Sequence, residues 1–175
     1  IGAAQNRVSA DVLLAEAAEA PVVGSFVVDG LTFAVAGEGS VELVDIAPAT
    51  AGEGAANVAL PGAVPYEGAE YALSSIGAYA FYLSGMTDVT LPASVSNVDD
   101  RAFRSSDVAR VAVDADNPAY SSYDGALYSA DMTSLLLIPE GRTGAVRVPS
   151  HAASVAPSVF SHCAGVDAIA VDAGC

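Results

Sequence analysis

The sequence contains no tryptophan, no lysine and only two cysteines. Two thiols, Cys163 and Cys175, are too few for a disulfide scaffold and cannot by themselves complete a zinc site. Basic residues are also scarce. Six arginines stand against 21 acids, giving a formal net charge of −15. That excess argues against nucleic acid or an anionic membrane surface as a partner, because like charges repel before contact forms. No apolar run approaches the roughly 18–20 residues of a membrane helix. No basic n-region with an apolar core precedes Gly2, so a signal peptide, had there been one, is expected to have been removed. What remains is apolar: 53% of the 175 residues are hydrophobic, enough for a sizeable core and too many for disorder. The length fits one domain.

An internal repeat organises the chain. Val89-Thr-Leu-Pro-Ala-Ser-Val-Ser-Asn-Val-Asp-Asp-Arg-Ala-Phe103 is matched by Val146-Arg-Val-Pro-Ser-His-Ala-Ala-Ser-Val-Ala-Pro-Ser-Val-Phe160. Pro92 and Pro149, Val98 and Val155, and Phe103 and Phe160 are each 57 residues apart. A third copy closes as Ile76-Gly-Ala-Tyr-Ala-Phe81, 22 residues before Phe103, and opens at Val58-Ala-Leu60-Pro61 with extra residues between Val64 and Ile76.

Each unit begins with a β-branched run of period two (Val89 and Leu91, Val111 and Val113, Val146 and Val148, Ile169 and Val171), which puts its large residues on one face. With Val58-Ala-Leu60 counted as the fifth such run, proline ends three of the five (Pro61, Pro92 and Pro149), because it has no N–H for the ladder. Units of about 22 residues cannot bury an apolar face alone and must stack around a shared core. The pattern predicts a repeat solenoid, mainly β, with short irregular or helical return segments. Ile76, Phe81, Val98, Phe103, Val155 and Phe160 should form its core ladder, with the three Phe rings in one buried column. Ala59, Thr90, Ala112, Arg147 and Ala170 should face outward on a shallow strand side.

Between Val113 and Val146 the excess length reads as a β-hairpin insert over 114–140. Asp124-Gly125 is its turn, and Ala126-Leu127-Tyr128 and Ser134-Leu135-Leu136-Leu137-Ile138 are strands. Met132 is ill suited to a second φ > 0 turn after Asp131, so that connection should be longer or of another type. Alternating residues from Phe26 to Ile46 predict an N-terminal β-hairpin cap over 26–57, which leaves 58–175 for the array. Residues 1–25 read as a linker or marginal helix. Val171-Asp-Ala-Gly-Cys175 aligns with Val113-Asp-Ala-Asp-Asn117, so the array is expected to be cut at its C-terminus.

These units resemble the BspA-like leucine-rich repeat family of bacterial surface proteins, whose unit is similar to "apolar-Thr-Ile-Pro-x-x-Val-x-x-Ile-Gly-x-x-Ala-Phe-x-x-Cys". The likeness covers Val89 to Phe103, Val146 to Cys163 and Ile76 to Phe81. The insert Asn117-Pro-Ala-Tyr-Ser-Ser-Tyr-Asp-Gly-Ala-Leu-Tyr128 is similar to the family's hairpin, and Asp29-Gly-Leu-Thr-Phe33 and Tyr66-Glu-Gly-Ala-Glu-Tyr71 to the start of such arrays. Ser105-Ser106 departs from the usual Gly-Cys, and Pro157 replaces a small or acidic residue. The resemblance implies export to the cell surface and binding of an extracellular protein or glycan without catalysis or cofactor; a structural spacer presenting another domain is the alternative.

Candidate chemistry is thin. His162-Cys163 fails as a base–nucleophile pair, because adjacent extended side chains diverge and no third group orients the base. Cys163 reads instead as a small buried rung beside Phe160. Whether Cys163 pairs with Cys175 is open at this stage. Asp114-x-Asp116-Asn117 and Asp99-Asp100 lack the Gly and terminal Glu of a calcium loop and read as turns, so no metal site is assigned. Tyr120, Tyr123, Tyr128 and Arg147 are the binding-patch candidates, contacting a ligand or serving only the hairpin's own cross-strand packing.

Overall fold

A computed structural model describes residues 24–48 and 56–173. The segment expected to be linker or helix therefore lies outside the described residues, save Gly24 and Ser25, and so does Cys175.

Strands β1 (Ser25–Val28), β2 (Leu31–Gly37) and β3 (Ser40–Ile46) form an antiparallel meander. Asp29 and Gly30 make the first turn at φ 50° and 80°, the left-handed pair of a type I′ hairpin whose twist suits the flanking strands. After β4 (Ala56–Ala59), the extra residues of the first unit form a second hairpin. Its strands β5 (Ala63–Tyr66) and β6 (Ala69–Ile76) meet at Glu67-Gly68, with φ 50° and 82°. Strand β3 pairs in parallel with β6, so the cap is a three-strand meander continuous with the first unit, not a separate hairpin. The expected cap boundary at 57 falls inside β4. The sheet curls until its outer strands meet, and Phe26 stacks on Tyr66 at 3.9 Å.

The repeat strands stack in parallel. β4, β7 (Met86–Leu91) and β9 (Arg110–Val113) align Val58, Val89 and Val111 in one row and Ala59, Thr90 and Ala112 in the next. On the return side, β8 (Asn97–Val98) pairs with β6 and sets Val98 against Ile76. Among the described residues the return segments are turns without helix. They are bonded unit to unit: the N–H groups of Tyr79, Phe81 and Leu83 donate to the carbonyls of Arg101, Ala102 and Ser105. Phe81 and Phe103 stack at 4.8 Å and are almost fully buried. The spacing of 22 thus delivers two rungs of the expected column.

The third rung is absent. Phe160 is 44% and Val155 50% exposed. Two causes are visible. The hairpin strands β10 (Tyr120–Tyr123), β11 (Ala126–Ser129) and β12 (Ser134–Leu137) come between the second and last units. β12 then takes β14 (Ser154–Val155) as its parallel partner, so Val155 sits on Leu135 and not on Val98. In addition, no described segment stacks on the outer side of the last unit. Val159 and Cys163 supply its buried return residues instead, in a second core cluster with Tyr128, Leu135 and Val146.

The strand ladder is interrupted as well. β13 (Gly144–Pro149) and β15 (Val166–Asp172) form their own two-stranded parallel sheet. The Asp124-Gly125 turn, at φ 49° and 81°, fills the gap: Gly125 accepts from the Val111 N–H and the Asp124 carboxylate from the Arg147 N–H. The hairpin's far end is docked equally closely, since a Cβ at Gly141 would collide with the Asp107 carbonyl. The connection from β11 to β12 is the longer one expected. Its Met132 nevertheless takes φ 56°, held by a Met132-to-Ser129 backbone bond and by Asp131 accepting from Thr133.

Candidate functional site

The tyrosines predicted as a contact patch are committed to the scaffold. Tyr128 is fully buried and donates to the Arg147 carbonyl at 3.5 Å. Burial, with the Asp124 charge adding to it, pushes its hydroxyl up to about 12. Half-buried Tyr120 uses its hydroxyl to accept the Val98 N–H at 3.2 Å, capping an amide that the interrupted ladder leaves without a strand partner on that side. Tyr123, also half-buried, packs edge-on against Tyr128 and donates to the Asp172 carboxylate. Arg147 is exposed, but its guanidinium lies 3.8 Å from Asp172. The reading that fits these contacts is the packing alternative. A hairpin inserted between two repeat units is covered on both faces, so its amphipathic rings turn inward and satisfy their hydroxyls there.

The remaining candidates resolve in the same direction. Cys163 is buried, its Sγ donating to the Val159 and Ile138 carbonyls at 3.1 and 3.6 Å. Burial and the nearby Glu140 push its thiol up, away from the thiolate that nucleophilic chemistry needs. The cavity beside it, lined by Arg104, Leu137 and His162 among others, has about 30 Å³, room for a water. Asp114 accepts the Asp116 N–H at 2.9 Å, and Asp99 accepts from the Arg101 backbone and guanidinium. The Arg101 hydrogen bond holds the Asp99 carboxyl below its ordinary value. Both are turn-making aspartates. Asn117 is buried between the first insert strand and the second unit. Its amide donates to the Pro92 and Val95 carbonyls and accepts from Ala119 and Tyr120, which satisfies every polar atom.

The outward strand residues Ala59, Thr90, Ala112, Arg147 and Ala170 are all exposed, in the register that period two requires. Ala59 also lines a cavity of about 430 Å³ between the cap and the first unit.

A different surface carries exposed aromatic side chains. In the first return turn Tyr79, Tyr82 and Leu83 are 38%, 46% and 62% exposed. Tyr79 and Leu83 sit at φ 59° and 48°, where a bulky residue is strained and glycine would be at ease. The turn closes through Tyr82 N–H to the Tyr79 carbonyl, and the next unit repeats it as Arg104 to Arg101. Two tyrosines and two arginines therefore occupy matching corners of adjacent turns. The sequence signal was present: Tyr79 and Tyr82 are 22 residues from Arg101 and Arg104, out of phase with the buried Phe81 and Phe103.

No protein-family model matches the chain, and no curated protein does. Three solved structures of bacterial leucine-rich repeat proteins are similar to it. The protein from Eubacterium ventriosum is 24% identical at a TM-score of 0.51, over 65% of this chain and 29% of its own. That from Bacteroides capillosus is 18% identical at 0.55, over 86% of this chain and 99% of its own. That from Bacteroides ovatus is 18% identical at 0.52, over 83% and 40%. The chain thus spans well under half of two of these proteins and nearly all of the third. Its stacked parallel strands, turn-built return side and β-rich cap give it the fold of the bacterial leucine-rich repeat proteins, as the BspA-like pattern of its units implied.

Proposed function

We propose that the chain is a non-catalytic, cell-surface leucine-rich repeat module that binds an extracellular protein or glycan through the return turns of its first two units. The observation that carries this reading is the exposure of Tyr79, Tyr82 and Leu83 together, beside Arg101, on a turn whose backbone disfavours large side chains. Strained residues on rigid scaffolds gather where recognition occurs, and Tyr and Arg are the side chains that anchor interfaces most often. The buried, protonated Cys163 and the water-sized cavity beside it support the non-catalytic part. Surface display rests on the BspA-like resemblance. A spacer without a ligand of its own is the second reading, favoured by the packing of Tyr120, Tyr123 and Tyr128 into the scaffold.

Arrays of glycans and extracellular-matrix proteins, probed with the wild type and with Tyr79→Ala/Tyr82→Ala, separate these readings. The proposal expects wild-type binding that the double variant loses at an unchanged melting temperature. Equal binding by both would move the site elsewhere, and no binding by the wild type to any probe would favour the spacer.

A further inference from the structure

The exposed corner of the first two return turns combines apolar rings with unspent hydrogen-bonding groups. Tyr82 N–H donates to the Tyr79 carbonyl at 2.9 Å. A turn of this span brings the two α-carbons within about 7 Å of each other. Neither phenol hydroxyl makes a hydrogen bond among the described residues. On the adjacent turn, Arg101 is fixed from below: its Nε and one terminal nitrogen donate to Asp99 at 3.1 and 3.2 Å. A guanidinium carries five N–H groups, so about three remain for a ligand. Its charge is reinforced chiefly by the Asp99 hydrogen bond and more weakly by Asp100 and Tyr79, which puts that phenol in the same group. Asp100, whose side chain is 65% exposed, stands 3.7 Å from Nε, beyond hydrogen-bond distance, so its oxygens stay open as acceptors.

We propose that this corner binds a neutral oligosaccharide, with one hexopyranose unit against Tyr79 and Tyr82 and its adjacent hydroxyls shared between Arg101 and Asp100. The inference rests on the ligand surface proposed above and narrows its ligand from protein or glycan to an uncharged sugar. Three features favour that class. The first is charge. One guanidinium stands against the carboxylates of Asp99 and Asp100, so the corner is net negative within a chain of formal charge −15. Sialylated or sulfated glycans and acidic peptides are therefore repelled. The second is the donor and acceptor set. A sugar hydroxyl both donates and accepts, and neighbouring hydroxyls are best met by both kinds of partner side by side. Arg101 supplies donors only and Asp100 acceptors only. The third is area. A stable protein interface buries about 800 Å² on each partner, whereas the exposed apolar surface here is three side chains of one turn, Tyr79, Tyr82 and Leu83. A phenol ring has a flat apolar face and a polar rim, which matches a pyranose with its C–H groups on one face and hydroxyls around its edge. The unit-to-unit backbone bonds of Tyr79 and Leu83 hold the turn rigid, so little freedom is lost when a small ligand lands on it.

The test uses the whole chain on arrays of neutral oligosaccharides of glucose, galactose and mannose, their sialylated and sulfated counterparts, and extracellular-matrix proteins. The expected result is retention of neutral oligosaccharides above their charged counterparts, displaced by the same oligosaccharide free in solution. Asp100→Ala should weaken that binding at least about tenfold, because a charge-assisted hydrogen bond to the sugar is lost. Asp100 is exposed and outside the hydrogen bonds between Asp99 and Arg101, so circular dichroism should report an unaltered melt for this variant. Tyr79→Phe/Tyr82→Phe keeps both rings and should weaken binding less than Tyr79→Ala/Tyr82→Ala. Three results would overturn the inference: preference for sialylated or sulfated glycans, binding to protein that free sugar does not displace, or equal neutral-glycan binding by the wild type and Asp100→Ala. Loss of binding in Tyr79→Ala/Tyr82→Ala would in each case still uphold the surface itself. Neutral-glycan binding that survives Tyr79→Ala/Tyr82→Ala, or no binding of any probe, would overturn both.

Discussion

The Asp124 carboxylate and the Arg142 guanidinium meet at 2.7 Å in the gap between β9 and β13. Arg142 is 8% exposed and also donates to the Ala145 carbonyl, while Asp124 accepts the Arg147 N–H. One ion pair therefore fastens the hairpin tip to the strand that follows it. Removing one member of a buried pair strands the other's charge. Arg142→Ala should destabilise the chain by about 3 kcal/mol in urea unfolding. A loss below about 1 kcal/mol, the scale of a surface pair, would mean that the turn is held by its backbone alone.

Phe103 and Phe160 occupy equivalent repeat positions with opposite burial, 2% against 44% exposed. Phe103→Ala opens a cavity against Phe81 and should cost about 3–5 kcal/mol. Phe160→Ala, measured by the same thermal melts, should cost less than about 1 kcal/mol. Equal losses would restore the third rung of the column.

Ser105 has φ 54° where the family pattern places glycine. A β-carbon in the left-handed region is strained, and glycine relieves that strain while adding chain entropy to the unfolded state. Ser105→Gly keeps the backbone N–H that donates to Glu140 at 2.8 Å. It should raise stability by about 0.5–1 kcal/mol, read as a higher urea midpoint at constant slope.

Tyr128 links the hairpin to alkaline stability. Its hydroxyl rises from 10.0 to about 12 in the fold, chiefly through burial. The unfolded chain therefore loses this proton first as pH rises. The contribution is fully present below pH 10 and is lost progressively up to about pH 12. Melting temperature followed across that range should fall in the wild type and fall less in Tyr128→Phe.

The core grammar was legible because the repeat spacing fixes which residues share a phase: Ile76, Phe81 and Phe103 are buried as their spacing requires. The Asp124-Gly125 turn was legible from its own backbone chemistry. The role of the insert was not. Ala126, Leu127 and Tyr128 are consecutive and all buried, so β11 is covered on both faces and alternation says nothing about which ring is free. Tyrosine suits a packed face or a contact surface equally well, and only tertiary placement separates the two. The exposure of Phe160 escaped for a related reason: phase identifies the side of a residue, but burial needs a neighbour on that side.

The central claim is that the 114–140 hairpin is a rung of the array and not a recognition loop. Native-state hydrogen exchange at the Val111 and Arg147 amides tests it most directly, since these donate to Gly125 and to the Asp124 carboxylate. Both should exchange as slowly as the Val89 and Ala112 amides of the strand stack, and Asp124→Ala should release Arg147 while speeding Val111. Exchange of both amides at loop-like rates in the wild type, with the strands still protected, would contradict the account.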